Sequence, residues 1–83
     1  MYYVYILKSI KDNGYYYGYT SDLLKRIEHH NSKLVRSTKS RAPFVLHYSE
    51  KFTNKSDAIK RENYFKSIDG YNWLRDNKII EKG

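Results

Sequence analysis

The chain has no cysteine and only one proline among its 83 residues. Without cysteine there can be neither a disulfide framework nor a thiolate-held metal. Histidine is scarce as well. His29, His30 and His47 fall at no zinc-binding spacing, which argues against a site built from all three. Apolar runs are short. None approaches the ~20 residues of a membrane span, and the opening YYVYIL lacks a basic leader and carries too many hydroxyls for a signal peptide. These absences predict a soluble, cytoplasmic protein with no membrane partner. Neither a repeat nor a linker breaks the chain, and residues 1–83 are expected to form one domain, because a second would be too small to bury its own core. So small a domain is marginal, which predicts that most of its large apolar residues are buried.

Positive charge and tyrosine are abundant. Sixteen Lys and Arg against nine Asp and Glu give a net charge of +7. Between positions 25 and 41 stand Lys25, Arg26, Lys33, Arg36, Lys39 and Arg41, opposed only by Glu28. A solvated surface would account for such a run, as would contact with an acidic membrane or protein. A basic stretch of this density also suits the backbone of a nucleic acid. Seven of the ten tyrosines fall within the first nineteen residues.

YYVYILKS reads as a strand, and since neither of its alternating faces is properly polar it suits an inner position. Lys11-Asp12-Asn13-Gly14 follows as a turn, its Asn-Gly a strong hairpin signal, and YYYGYT returns as the antiparallel partner. Thr20, Ser21 and Asp22 offer capping oxygens for a helix running to about Asn31, with Leu23, Leu24 and Ile27 as its apolar stripe. SKLVRSTKSRAP is polar, basic and ends in proline, so it reads as a loop. FVLHYSEKF is a third strand. Thr53, Asn54 or Ser56 can cap a second helix, roughly Lys55 to Ser67, that stops near Gly70. The tail YNWLRDNKIIEKG suits a short third helix with frayed ends, whose Trp73 could complete the core or cover a partner surface. The order is β-β-α-β-α-α, a small sheet covered by helices in an α/β (α+β) domain.

One carboxylate stands out within the second helix. At about 100° per residue, Ala58, Phe65 and Ile59 lie about 40° to 60° on either side of Glu62, which places the acid inside the apolar stripe. A carboxylate there needs a partner, a proton or a metal. A salt bridge to a nearby lysine or arginine would satisfy it, and so would a position facing a cleft. On the first helix, Asp22, Arg26 and His30 are spaced i, i+4, i+8, with Arg26 at the border of the buried face. An ordinary Asp22–Arg26 surface pair is the simpler reading of that spacing. In the second strand Gly18 shares a face with Tyr16 and Thr20. A strand glycine marks either close approach by a ligand or another backbone, or a bulge.

Taken in order, these residues resemble the GIY-YIG nuclease superfamily, in its small single-domain bacterial branch. YVY at 3 to 5 is similar to the first motif, with Tyr3 in place of its glycine, and YYG at 16 to 18 is similar to the second. Arg26 follows Gly18 by eight residues, and SDAIKRENYFKS resembles the glutamate helix. The resemblance covers essentially the whole chain. It implies a three-stranded, mostly antiparallel sheet flanked by helices and a metal-dependent endonuclease. Such an enzyme hydrolyses phosphodiesters, with DNA as the expected target and repair, recombination or mobile elements as its context. It also implies roles for individual residues. Tyr5 is the general base or orients the water, and Tyr16 adjoins it. Arg26 contacts the phosphate, His30 completes the catalytic set, and Glu62 holds one Mg2+ or Mn2+ ion. Gly18 has a structural role, and Lys25, Lys33, Arg36, Lys39 and Arg41 follow the nucleic-acid backbone. An accessory protein or a homodimer is compatible with it.

Three other readings compete. A degenerate domain of this family would bind nucleic acid without cutting it. A protein-interaction module would use exposed tyrosines. An RNA-recognition fold, which YYYGYT superficially resembles, separates its two aromatic strands by a helix and another strand, whereas here a short turn joins them.

Overall fold

The eight residues Tyr2–Ser9 form strand β1 at the centre of the sheet in the computed structural model, which describes residues 1–81. β2 (Tyr15–Thr20) and β3 (Phe44–Phe52) flank it in the order β2-β1-β3, and both pairings are antiparallel. Val4, Tyr5, Ile6 and Leu7 are all buried, as an inner strand with two covered faces requires. α1 (Leu23–Asn31) connects β2 to β3, while α2 (Lys55–Phe65) and α3 (Ile68–Asp76) follow β3. The expected order is therefore the observed one. The segment before β3 contains a single 3₁₀ turn, Lys39–Arg41, where only loop is expected.

The β1–β2 connection lies where Lys11 to Gly14 is expected to turn the chain. It spans residues 10–14, with the Ser9 N–H donating to Gly14 O at 2.9 Å and the Asn13 N–H to Ser9 O at 2.9 Å. Asn13 takes the positive φ of 60°, which asparagine tolerates better than most side chains, and Gly14 does not. The buried Ser9 hydroxyl organises the turn by accepting the Lys11 and Asp12 N–H groups while donating to Arg41 O at 2.6 Å.

Alternation along β1 sends Val4 and Ile6 to one face and Tyr5 and Leu7 to the other. The first face packs with Ala58, Phe65, Leu74 and Ile80 from α2, α3 and the tail, with Trp73 against them. Trp73 thus completes the core. The second face packs with Phe44, Tyr16 and, from α1, Leu23 and Ile27. Leu24 is not part of that stripe: it is 81% exposed, because the side of α1 turned to the sheet runs through Arg26, Ile27 and His30. Ile10, Leu34, Val45, Leu46 and Ile68 are also exposed, so burial of large apolar residues is less complete than expected.

Asp22 caps α1 by accepting the Lys25 N–H at 3.1 Å, and no Asp22–Arg26 ion pair forms among the described residues. Asn31 joins the far end of α1 to β3 through a two-way bond with the Phe44 backbone, at 2.6 and 3.0 Å. Asn54 caps α2. That helix ends at Phe65, and Ser67 caps α3 at once. Gly70 therefore does not terminate α2. It is buried in the first turn of α3, where a Cβ would overlap the Tyr64 carbonyl and lie 2.8 Å from Phe65 Cα. Residues 82 and 83, where the tail is expected to fray, lie outside the described residues.

Candidate active site

The register sets Tyr5 opposite Gly18. With no side chain at 18, the phenol lies across the edge strand β2, and a Cβ there would come within 2.6 Å of Tyr5 Cζ. The glycine is a close approach of the Tyr5 ring; the bulge lies elsewhere, in the β1–β3 pairing at Ile6/Leu7. α1 then brings two side chains to the phenol one turn apart. Arg26 Nε donates to Tyr5 Oη at 3.3 Å, and His30 Nε2 lies 3.1 Å from the same oxygen. The other imidazole nitrogen, Nδ1, lies 2.8 Å from Thr38 Oγ1. Tyr16 completes the cluster, its ring centroid 4.9 Å from that of His30 and 6.5 Å from that of Tyr5.

Electrostatics follow from this packing. Burial raises the pKa of the Tyr5 phenol above its ordinary value; the Arg26 hydrogen bond and charge oppose the rise, and Tyr16 and Glu62 add to it. His30 is pushed down to about 4, first by burial and then by the positive charges of Arg26 and His29. The hydrogen bond to Tyr5 is the main reason the Arg26 pKa is raised. At neutral pH the cluster therefore holds a protonated guanidinium, a protonated phenol and a neutral imidazole.

Glu62 approaches from α2. Its side chain is 14% exposed, and its one described side-chain partner is Lys66 Nζ at 3.2 Å, itself half exposed. Placement inside the apolar stripe holds for Glu62, beside the buried Ala58 and Phe65. Among the described residues no hydrogen bond joins Glu62 to Tyr5 or Arg26; the carboxylate acts on the phenol through its charge.

An open cleft of about 380 Å³ adjoins the cluster at Arg26, lined also by Thr20, Ser21, Asp22, Lys25 and His29. Lys25 is exposed in it, and Lys33, Arg36 and Lys39 are exposed on the loop after α1. Arg41 differs from these. Its Nε meets Asp12 Oδ2 at 2.8 Å, and its guanidinium lies 5.6 Å from the Phe44 ring. Its charge is thus matched at the hairpin, and the Asp12 carboxyl is held down at about 2, chiefly by that bond. Thr38 belongs to the site although sequence reasoning does not find it. It is buried in the basic loop, and no periodicity relates it to α1.

As to a metal, the described residues contain no group of three or more His, Asp or Glu able to hold an ion. What they offer is one largely buried hard-oxygen donor, Glu62. Such a donor fits Mg2+ or Mn2+, because magnesium in particular retains several waters and binds through one or two carboxylates plus substrate phosphate.

The pattern of the GIY-YIG catalytic domain matches residues 1–72. A UPF0213 protein of Staphylococcus haemolyticus is 48% identical over 81 residues, covering 96% of this chain and 94% of that one. One of Staphylococcus saprophyticus is 42% identical, covering 98% and 95%. The solution NMR structure of a UPF0213 protein of Bacillus halodurans superposes with a TM-score of 0.55 at 38% identity, covering 94% of this chain and 86% of that one.

Proposed function

The chain belongs to the GIY-YIG catalytic domain family, a family of nucleases, and from that premise we propose that it is a divalent-metal-dependent endonuclease that hydrolyses phosphodiester bonds in DNA. The observation that carries the reading is the arrangement around Tyr5. A guanidinium and a neutral imidazole converge on one buried phenol, within the field of a largely buried carboxylate. A protein that only bound polyanions would have no use for a largely buried carboxylate whose charge is felt at this phenol, since that charge repels phosphate.

Each group has a task. Arg26, half in the cluster and half in the cleft, contacts the scissile phosphate and stabilises the charge that grows on it in the transition state. Tyr5 keeps its proton at neutral pH, so it orients the attacking water by accepting a hydrogen bond rather than removing a proton outright. Tyr16 walls the same space. Glu62 would hold the ion, in place of its half-exposed partner Lys66, whose pairing is worth under about 1 kcal/mol. The bound ion supplies Lewis-acid stabilisation of the phosphate oxygens. Lys25, Lys33, Arg36 and Lys39 follow the backbone through contacts that are blind to sequence.

The test is to incubate purified protein with supercoiled, branched and single-stranded DNA in Mg2+, Mn2+ or EDTA. Product that depends on the metal is expected, and Arg26→Ala should slow its formation by about 10²–10³-fold. DNA binding without cleavage under every condition would contradict the proposal.

A further inference from the structure

Three buried polar groups, with the Arg26 guanidinium at their edge, can be satisfied together in only one direction. Tyr5, His30 and Thr38 are each 1% exposed or less. The Arg26 guanidinium can only donate, so it occupies one lone pair of Tyr5 Oη. The one described acceptor for the Tyr5 hydroxyl proton is then His30 Nε2. A neutral imidazole whose Nε2 accepts must carry its proton on Nδ1, which donates to Thr38 Oγ1. Thr38 in turn directs its own hydroxyl proton to Val35 O, at 3.4 Å. The reverse order would point two donors at Tyr5 Oη and leave its hydroxyl without a described acceptor.

We propose that Thr38 is a positioning residue: its hydroxyl fixes His30 as the Nδ1-protonated tautomer, which directs the Tyr5 hydroxyl proton onto His30 Nε2 and leaves the second lone pair of the catalytic phenol uncommitted. The chain of bonds begins at the cleft guanidinium and ends on a backbone carbonyl of the basic loop, so the loop that carries Lys33, Arg36 and Lys39 also sets the state of the catalytic phenol. The catalytic consequence rests on the nuclease reading above, whereas the tautomer does not.

Two variants test it, Thr38→Val, which keeps the shape and removes the hydroxyl, and Thr38→Ser, which keeps the hydroxyl. Side-chain ¹⁵N NMR of the parent, with the His30 signals assigned by their loss in His30→Gln, should show a proton on Nδ1 and none on Nε2. Thr38→Ser should keep that pattern and most of the turnover. Thr38→Val should lose it, and should lower kcat on plasmid DNA by about 10- to 100-fold, by analogy with the loss of outer partners that orient metal-ligating imidazoles, with DNA binding unchanged. A proton on Nε2 in the parent, or a Thr38→Val protein with the parent's His30 signals, would overturn the proposal. If no form of the protein cleaves DNA, the nuclease reading fails while the NMR still decides the role of Thr38.

Discussion

His30 has no exposed surface, and its two ring nitrogens are committed to Tyr5 and Thr38. Its pKa of about 4 in the folded chain lies below the unfolded value of 6.5. Between those two values the unfolded chain takes up a proton that the folded one refuses, so stability is full above about pH 6.5 and declines as pH falls toward 4. Thermal melts followed by circular dichroism should show Tm dropping through that window. The slope should be shallower in His30→Gln, even though that variant is less stable throughout. Parallel curves for the two proteins would show that His30 is not the group responsible. At this scale much was legible in the sequence. Period-two alternation put Tyr5 and Gly18 on usable faces, and the i, i+4 spacing put Arg26 and His30 on one side of a helix. Glu62 betrayed itself by standing inside an apolar stripe. Thr38 did not, because a loop residue has no periodicity that reveals which buried group it meets.

Among the elements, the corner between α2 and α3 is tightly packed. Gly70 sits against the last turn of α2, and Arg61 reinforces the same corner: its guanidinium lies 4.5 Å from the Trp73 ring and 4.7 Å from that of Phe65, while pairing with Glu50 at 2.8 Å. Glu50 also accepts the Tyr48 hydroxyl, and burial together with that bond pushes the Tyr48 phenol up to about 12. Gly70→Ala would drive a methyl into the Tyr64 carbonyl, which as backbone cannot swing aside. A destabilisation of about 3 kcal/mol or more is expected, at about 4–8 °C of Tm per kcal/mol for a domain of this size. A Gly70→Ala protein melting within a degree or two of the parent would contradict the packing described. The sequence announced the elements and their order. It misread this glycine, since a glycine after a helical pattern is ordinarily its stop. Here α2 ends at Phe65 with Lys66 as its C-cap and Ser67 opens α3, and the glycine serves a contact between elements that sequence spacing does not show. The β1–β2 turn, by contrast, lies where Lys11 to Gly14 places it, and what spacing does not show there is the buried Ser9 hydroxyl that gathers the connection.

For the whole molecule, the net charge of +7 is unevenly available. Lys33, Arg36 and Lys39 are exposed on the loop with no ion-pair partner among the described residues, whereas Arg41 is tied to Asp12. Removing one cation that neutralises a phosphate should lower the slope of log K against log salt by about 0.9 for duplex DNA. Arg36→Ala and Lys39→Ala should therefore flatten the salt dependence of binding, while Arg41→Ala should barely change it and should instead loosen the hairpin. An equal flattening in all three, measured by fluorescence anisotropy from low to moderate salt, would show that Arg41 also meets the backbone.

On the proposed function, the Glu62 carboxylate would hold the ion that assists cleavage. Nicking of supercoiled plasmid by Glu62→Ala, compared with the parent in Mg2+ at matched DNA occupancy and with the fold verified by circular dichroism, tests it most directly. Loss of nicking with binding retained is predicted; nicking at the parent's rate would contradict it.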